Sequence, residues 1–366
     1  MGRQLQSDKI LFVAVAGLVL FGALMVYSAS AVMAADRYHE GYYFLLRQLA
    51  WAGVGLIAVA VLMHMDYRRL ANPMVIFPAV ALELILLVIV LFVHPTNNAH
   101  RWFHLGVASF QPSELAKIIL TVFLAYFLDQ RKGQVNDWKH TLAPIALVSG
   151  IMALLVLKEP DLGTSLALGM VLVAMLFCAG LDLRYFALPA LVTIPALYFL
   201  IARSPYRLKR ILAFWDPYSD PLGKGFHILQ SYIAVGTGGI TGVGLMESKQ
   251  KLFFLPEPQT DFIYAVVGEE WGLIGAVLLA AVFAVILIRG LRASAACKDD
   301  FGRLLALGLT VMIVGQALIN MSVVLGLLPT KGIPLPFVSY GGSSLLVNLV
   351  AVGILLNISQ QASCPT

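Results

Sequence analysis

Long apolar runs, separated by short polar segments, dominate the pattern of residues along the chain. A run of about 20 apolar residues is long enough to cross the hydrocarbon core of a bilayer as one helix. The period-two alternation typical of a membrane β-barrel is not seen. We therefore predict an all-α polytopic membrane protein with a single integral membrane domain over residues 1–366. Its ten predicted transmembrane helices cover residues 10–32, 46–64, 73–94, 112–128, 142–157, 162–180, 184–202, 262–288, 303–328 and 340–358.

The composition agrees with a membrane protein and limits the other classes. Of the 366 residues, 60% are hydrophobic and 12% are charged, and the mean hydropathy is +0.85. A soluble domain carries about 25% charged residues. The net charge of +5 is spread over the loops, so we expect no nucleic-acid partner. The three cysteines have neither metal nor redox spacing and lie outside the predicted extracytoplasmic segments, so we expect no disulfides.

The distribution of basic residues predicts the orientation of the chain. An even number of spans places both termini on one side of the membrane. Twelve of the 25 Lys and Arg residues lie at the termini or on their side, six lie on the opposite side, and seven lie in the long segment 203–261. Basic residues are enriched in cytoplasmic loops, and long loops carry little weight in this rule. We predict cytoplasmic termini and one long extracytoplasmic loop between spans 7 and 8.

Asp261 stands where this long loop meets a strongly apolar span. With Asp261 as the first helical residue and 100° per residue, Gly268, Gly272 and Gly275 lie within about 40° of its direction. Such a stripe of small residues lets a neighbouring helix approach closely. The pattern predicts a carboxylate beside packed protein, which makes Asp261 a candidate for chemistry.

Two ionisable residues lie just inside the fourth span, in the motif at 111–117. Glu114 and Lys117 are i,i+3 neighbours on one helix face, so an internal ion pair that neutralises itself is one interpretation. Ionisable groups inside a membrane are costly and usually face a cavity or a pathway, which favours a functional site. In that interpretation Lys117 holds a phosphate and Glu114 orients it.

Charged residues also fill the shortest predicted outer connection, residues 158–161. Pro160 and Asp161 are common turn residues, and Asp161 can cap the helix that follows. Lys158, Glu159 and Asp161 fit the rim of a substrate site equally well. Both interpretations stand at this point.

Arg101 and Trp102 suit contact with a phosphate or a sugar. A guanidinium binds phosphate through a fork of donors, and an aromatic ring packs well at the membrane interface. His100 and His104 flank them and would be i,i+4 neighbours in a helix, but no third ligand stands nearby. We interpret the histidines as interfacial polar residues and not as metal ligands.

The segment before the last span, residues 331–344, combines prolines with a pair of glycines. Irregular backbone at membrane depth is tolerated only where protein or a cavity surrounds it. The candidate residues in this segment are Lys331, Ser339, Gly341, Gly342 and Ser343.

Other polar features have structural interpretations. The glycine-rich stretch 236–244 lacks the GK[ST] ending and the preceding strand of a nucleotide loop, and it fits a segment folded back along the membrane. Glu83 stands alone in mid-span, where we expect a neutral or helix-paired carboxyl. For Glu269 and Glu270 we expect hydrogen bonds between helices.

In their order and spacing, these motifs resemble the SEDS family of bacterial peptidoglycan glycosyltransferases, which includes FtsW, RodA and SpoVE. The similarity runs from about Asp8 to Ile358. Residues 248–252 and 328–331 look more like the FtsW and SpoVE branch than like RodA, which favours an FtsW-like member. The resemblance is carried by residues 101–102, 111–117, 159–164, 216–217, 256–257, 260–262, 269–270 and 329–344.

The resemblance implies a multi-pass protein of the bacterial inner membrane with its active site on the extracytoplasmic side. It implies polymerisation of lipid II during cell division or shape maintenance, with a class B penicillin-binding protein as transpeptidase partner. Other membrane proteins of the division or elongation complex are further expected partners. The essential acid of the family's Thr-Asp-Phe motif falls on Asp261, while Gln259 stands where many members have His.

We expect Asp261 to act as the general base on the acceptor sugar, with undecaprenyl pyrophosphate as the leaving group. No metal ligand is predicted, although a pyrophosphate leaves room for a divalent cation such as Mg²⁺ or Mn²⁺. The alternatives are a lipid II flippase, which would usually carry ionisable groups through the whole membrane depth, and a non-catalytic scaffold of the division complex. The predicted substrate-binding residues are Arg101, Trp102, Glu114, Lys117, Lys158, Glu159, Asp161, Lys331, Ser339, Gly341, Gly342 and Ser343.

Overall fold

Helices make up most of the fold, which is given by a computed structural model. It describes residues 8–93, 100–105, 108–187, 191, 195, 203, 208, 212–221, 223, 225–252, 254–255, 257–329 and 332–362. The helices are α1 Lys9–Tyr38, α2 Tyr43–His64, α3 Pro73–Val90, α4 Pro112–Gln130, α5 Ala143–Lys158, α6 Leu162–Cys178, α7 Phe226–Gly238, α8 Ile263–Glu270, α9 Gly272–Ala296, α10 Asp300–Val324 and α11 Gly342–Ala362. Two strands form an antiparallel hairpin, β1 Phe103–Leu105 and β2 Ala108–Phe110.

The helices begin within a few residues of the predicted spans, but α1 and α9 extend beyond their predicted ends, and α7 was not predicted as a helix. In the described part of the chain, seven helical segments are long and apolar enough to cross a membrane. α6 is apolar but shorter, at 17 residues, and α4 has 19 residues that include Glu114 and Lys117. The predicted span 184–202 falls largely outside the described residues. The count of ten spans and the loop topology therefore stay predictions.

The hairpin is a departure from the all-helical prediction. Phe103 pairs with Phe110 and His104 with Ser109, directly before α4. Three-residue strands are too short to show a period-two pattern, so no strand was predicted here. Because His104 lies in a strand, it is not a helical neighbour of His100, whose Nδ1 lies 2.6 Å from the Val93 carbonyl oxygen.

The predicted span 262–288 consists of two helices, α8 and α9, which meet at Trp271. Gly272 has a φ of +64°, in the left-handed region that interrupts a right-handed helix. Asp261 precedes α8 by two residues and is not its first residue. The prediction of one glycine stripe along a continuous helix is wrong, because the break falls between Gly268 and Gly272.

The glycines of this region nevertheless allow close packing, against α7 and the segment after it. A Cβ at Gly238 would collide with the carbonyl oxygen of Gly268, and a Cβ at Gly242 would collide with that of Glu270. α7 thus packs directly on α8. The glycine-rich stretch 236–244 therefore touches α8 through Gly238 and Gly242, while most of its other residues are exposed. Its course along the membrane stays a prediction.

The centre of the fold is formed by α10 and α11. α10 packs against α4, α6 and α9, and α11 packs along α2. In the apolar stretch of each helix, 78% of the residues of α10 and 83% of those of α11 are buried inside the protein, against 22% for α2. Polar side chains on α10 therefore face other protein groups, and buried polar groups need hydrogen-bond partners.

A buried polar network ties the segment after α7 to α8 and α1. Lys251 Nζ donates hydrogen bonds to Glu270 Oε1 at 2.8 Å and to Ser28 Oγ at 3.1 Å. Ser248 Oγ donates to Glu269 Oε2 at 2.5 Å. Glu270 thus bonds to another helix, as expected, because Ser28 of α1 also donates to its carboxylate at 2.7 Å. For Glu269 the expectation is wrong, since its carboxylate bonds to the segment before α8 and not to a helix.

We predict that replacing Lys251 by Met destabilises the protein by about 3–5 kcal/mol, because it leaves the buried Glu270 carboxylate without its counter-charge. The measurement is the thermal unfolding of the purified protein in detergent. The double variant Lys251→Met/Glu270→Gln should recover much of the loss, since it removes both charges.

Lys249→Met is the matched control, because the Lys249 side chain is exposed and only its backbone N–H bonds to Glu269. Its melting temperature should stay near that of the unmodified protein. Equal melting temperatures for the Lys251 and Lys249 single variants would contradict the assigned role of the ion pair.

Candidate active site

A cavity of about 300 Å³ lies at the predicted outer end of the helices. It is built by the residues before the hairpin, by the first turns of α4 and α6, by the segment before α8, by α10 and by the segment before α11. Its lining is Arg101, Trp102, Gln111, Glu114, Lys117, Asp161, Gly163, Thr164, Ala167, Glu257, Thr260, Asp261, Gln316, Gly332, Ile333, Pro334, Tyr340, Gly341 and Ser344.

The backbone that carries Asp261 is held at three successive carbonyl groups. Each accepts a hydrogen bond from a residue far along the chain: Gln259 O from Tyr340 N at 2.8 Å, Thr260 O from Ser339 Oγ at 2.5 Å, and Asp261 O from Asn320 Nδ2 at 2.9 Å. Because these bonds fix the backbone on both sides of its Cα, they restrict where the Asp261 carboxylate can point.

The Asp261 carboxylate lies against Gly332. A Cβ at Gly332 would lie 2.7 Å from Asp261 Oδ2, closer than real Cβ contacts, so any other residue there would force the carboxylate to shift. Asp261 itself is partly exposed and lines the cavity. This arrangement keeps the carboxylate accessible to a bound molecule while its backbone stays fixed.

Lys117 forms the ion pair that the i,i+3 spacing predicted. Its Nζ donates to Glu114 Oε2 at 2.9 Å and to Gln316 Oε1 at 2.6 Å, and the residue is only 1% exposed. Both members of the pair also line the cavity. The two interpretations are therefore compatible: the charges neutralise each other in part, and the ammonium stands at the wall of the cavity.

Arg101 is fixed against the turn between α5 and α6. Its Nε donates to the carbonyl oxygen of Glu159 at 2.9 Å, and its second terminal nitrogen donates to that of Pro160. Arg101 and Trp102 are partly exposed and both line the cavity. The guanidinium thus has a rigid support and remains open to an anionic ligand.

Asp161 is both a helix cap and a cavity residue. Its Oδ1 accepts a hydrogen bond from Thr164 N at 3.0 Å, which caps α6, and its Oδ2 accepts one from Gln111 Nε2 at 3.1 Å. The turn interpretation is therefore correct, and the position of the residue on the cavity wall leaves the substrate interpretation open as well.

Glu159 is completely buried, and neither carboxylate oxygen has a hydrogen-bond partner among the described residues. Burial, together with the nearby carboxyl groups of Asp161 and Glu83, raises the pKa of Glu159 to about 9. The charge of Arg101 and the nearby Ser113 hydroxyl offset part of this increase. The side chain is therefore neutral at pH 7.

Several predicted substrate contacts do not line the cavity. Lys158 is exposed at the last residue of α5, and Glu159 is buried, so neither lines the cavity. Their contact with the substrate stays a prediction. Ser339, Gly342 and Ser343 support the wall without lining it: Ser343 Oγ, for example, donates to Ser109 O at 2.8 Å. Lys331 lies outside the described residues.

Sequence reasoning missed Gln316, Thr164 and Tyr340 on the cavity wall, and Asn320 beside it. Gln316 and Asn320 are two amides at i,i+4 spacing inside an apolar span, and polar residues in such spans usually bond across helices. The i,i+4 spacing of two amides in an apolar span could therefore have identified Gln316 and Asn320 from the sequence.

Gln259 is buried and does not line the cavity. Its Nε2 donates to Glu257 Oε2 at 2.8 Å, so the position holds the segment before Asp261 together. No group of three or more His, Cys, Asp or Glu side chains in the described ranges is arranged to hold a metal ion.

The chain is similar to known proteins over nearly its full length. The family model described as a cell cycle protein family, covering FtsW, RodA and SpoVE, matches residues 8–364. The chain belongs to this family. A relative from Geobacter metallireducens, named a probable peptidoglycan glycosyltransferase FtsW, is 48% identical over 356 residues, which cover 96% of this chain and 94% of the relative. Stage V sporulation protein E of Bacillus subtilis is 40% identical, with 98% of each chain covered.

Solved structures of the FtsW, RodA and SpoVE family share the fold. A chain from a structure described as "Structural coordination of polymerization and crosslinking by a peptidoglycan synthase complex" aligns with a TM-score of 0.79 and 32% identity, covering 98% of each chain. The RodA of Thermus thermophilus aligns with a TM-score of 0.73 and 28% identity over the full length of both chains. The relatives named FtsW and SpoVE support the FtsW-like branch within the family.

We predict that the stability of this family member falls as the pH rises from about 4.5 to about 9, in part because of Glu159. In this window the folded protein keeps a proton on Glu159, whereas the unfolded chain releases it near the ordinary pKa of 4.5. Stability decreases with pH wherever the folded state binds more protons than the unfolded state. The measurement is the melting temperature across this pH range.

Glu159→Gln should show a smaller decrease of the melting temperature between pH 5 and pH 9. Glu247→Gln, which changes an exposed carboxylate after α7, should keep the decrease of the unmodified protein. If Glu159→Gln and the unmodified protein lose stability in parallel over this range, the buried neutral carboxyl is not its source.

Proposed function

We propose that this chain is a glycosyltransferase that polymerises lipid II into glycan strands, with Asp261 as the general base. The observation that carries the proposal is a partly exposed Asp261 carboxylate in a cavity that is also lined by Arg101 and Lys117. Three hydrogen bonds hold the backbone of residues 259–261, from which this carboxylate extends. Relatives named as probable peptidoglycan glycosyltransferases, similar over nearly the full length, support the same activity.

In the proposed reaction, Asp261 accepts the proton of the acceptor sugar's 4-hydroxyl as the oxygen attacks the anomeric carbon of the lipid-linked donor. The new carbon–oxygen bond forms as the bond to the pyrophosphate breaks, and undecaprenyl pyrophosphate leaves with the electron pair. Attack from the face opposite the leaving group inverts the anomeric centre. A positioned general base contributes about 10²–10⁴-fold to such a rate.

The leaving pyrophosphate needs positive charge near it. Arg101 and Lys117 supply this charge, and both are held by hydrogen bonds that precede substrate binding. Because Glu114 offsets part of the Lys117 charge, a divalent cation arriving with the pyrophosphate would add to the stabilisation. Besides Asp261, the acids on the cavity wall are Glu114, Asp161 and Glu257. No three of the described acids are grouped to hold such a cation by themselves.

The reaction belongs at the outer leaflet of the bacterial inner membrane, with ten spans and cytoplasmic termini. The excess of basic residues on the side of the termini supports this orientation. A class B penicillin-binding protein is the proposed partner, because a similar solved chain comes from a complex described as coordinating polymerisation and crosslinking. Similarity to FtsW and SpoVE favours a role in division-type wall synthesis.

We predict that Asp261→Asn abolishes glycan polymerisation, because the amide cannot accept the proton of the attacking hydroxyl. The measurement is the formation of glycan strands from purified lipid II, with and without the cognate transpeptidase. Asp36→Asn is the matched control, since it makes the same change at an exposed residue near the end of α1 and away from the cavity.

Full polymerisation by Asp261→Asn would overturn the role of the base. Lipid II translocation in proteoliposomes that continues in that variant, without polymerisation by the unmodified protein, would favour the flippase. Unimpaired division in cells whose only copy carries charge-neutral replacements of Asp261, Arg101 and Lys117 would favour the scaffold.

A further inference from the structure

Two buried amide side chains on α10 connect the parts of the cavity that come from distant segments. Gln316 and Asn320 are 1% and 2% exposed, and they stand one helical turn apart, about 6 Å along the axis. Neither belongs to any motif that the sequence analysis singled out. Their hydrogen bonds reach two of the three groups to which the proposed reaction assigns a charge role, Asp261 through its backbone and Lys117 through its ammonium.

Asn320 holds the backbone of the proposed base. Its Nδ2 donates to Asp261 O at 2.9 Å and to Ile333 O at 2.7 Å. A carboxamide nitrogen has two protons, so these two carbonyls use its full donor capacity. One side chain thereby joins the segment before α8 to the segment before α11.

Gln316 holds the proposed cation in a related way. Its Oε1 accepts a hydrogen bond from Lys117 Nζ at 2.6 Å, and its Nε2 donates to Pro334 O at 2.9 Å. The amide must therefore accept on one side and donate on the other. A carboxylate of the same shape could accept the hydrogen bond from Lys117 but could not donate one to Pro334. It would also add a second anion beside Lys117, in addition to Glu114.

The carbonyl acceptors of the two amides are consecutive residues, Ile333 and Pro334. The chain segment 332–334 is therefore fastened to α10 at two successive points, and Gly332 at its start contacts the Asp261 carboxylate. One turn of α10 consequently sets the spacing between the ammonium of Lys117 and the segment on which the Asp261 carboxylate rests.

We propose that Gln316 and Asn320 are positioning residues, which fix the base Asp261 and the cation Lys117 relative to each other. This inference rests on the proposed function, since it explains how that reaction's groups are held. Both amides act through other residues, Asn320 through the Asp261 backbone and Gln316 through the Lys117 ammonium. Their replacement should slow the chemical step more than it weakens substrate binding.

The test replaces each amide by the carboxylate of the same shape, Asn320→Asp and Gln316→Glu. We expect each variant to lower the rate of glycan formation at saturating lipid II by at least about tenfold, because a carboxylate donates to none of the three backbone carbonyls. The lipid II concentration that gives half the maximal rate should change by less than about threefold. The unmodified protein and Asp261→Asn are measured in the same assay.

Asn357→Asp is the matched control for the amide-to-acid change. Asn357 is a buried amide of α11 whose Nδ2 donates to Met63 O at 3.0 Å, and it does not line the cavity. We expect a loss of thermal stability comparable to that of Asn320→Asp, with a turnover within about threefold of the unmodified protein. If Asn320→Asp does not fold, Asn320→Ser is measured instead, since it keeps one donor and should retain intermediate turnover.

The possible results separate the inference from the proposed function. Normal turnover in Asn320→Asp and Gln316→Glu, with Asp261→Asn inactive, would overturn the positioning role alone. Turnover losses in Asn357→Asp as large as those in the two site variants would also overturn it, because they would show a general cost of buried charge. Absence of polymerisation by the unmodified protein, alone and with its transpeptidase, would instead contradict the proposed function.

Discussion

The three hydrogen bonds that hold the backbone of residues 259–261 are the constraint on which the candidate active site depends. Asp261 precedes α8 and lies outside its hydrogen-bond ladder, so the helix alone does not fix it. Its position is set by donors from α10 and from the segment before α11. Asn320 and Ser339 are buried, and hydrogen bonds in such surroundings are electrostatically stronger than in water. The carboxylate therefore keeps its place only while α8, α10 and the 332–340 segment remain packed together.

The packing around this constraint explains why so many charged and polar groups are tolerated inside an apolar bundle. Lys117 is paired with Glu114, and Lys251 is paired with Glu270, so each buried ammonium has a carboxylate beside it. Removing one member of such a pair lowers the stability of the protein by more than the intact pair adds to it. The first pair lines the cavity, whereas the second fastens the segment after α7 to α8. One pair thus serves the proposed chemistry, and the other supports the segment on which Asp261 stands.

The sequence was most informative where the determining interaction is local. Apolar run length located the starts of the predicted helices within a few residues, but it missed α7 and ended α1 and α9 too early. Local motifs pointed to Asp261, Arg101, Trp102, Glu114, Lys117 and Asp161, all of which line one cavity. The break at Gly272, the hairpin and the bonds of Lys251 depend on which distant segments meet, and one-dimensional periodicity carries no such information. The same reason hid Gln316 and Asn320, whose roles are evident only once the 332–334 segment lies along α10. Lys158 does not line the cavity, and charge in a short turn could not reveal which way its side chain faces.

The most direct test of this account is a structure of the protein with a lipid II analogue bound in the acceptor position and a lipid-linked donor analogue beside it. The account predicts the acceptor 4-hydroxyl within about 2.6–3.2 Å of an Asp261 carboxylate oxygen. It also predicts the donor pyrophosphate against Arg101 and Lys117, with the hydrogen bonds of residues 259–261 unchanged. A sugar–pyrophosphate bound in a different cavity, or an acceptor hydroxyl far from Asp261 with both analogues in place, would contradict it.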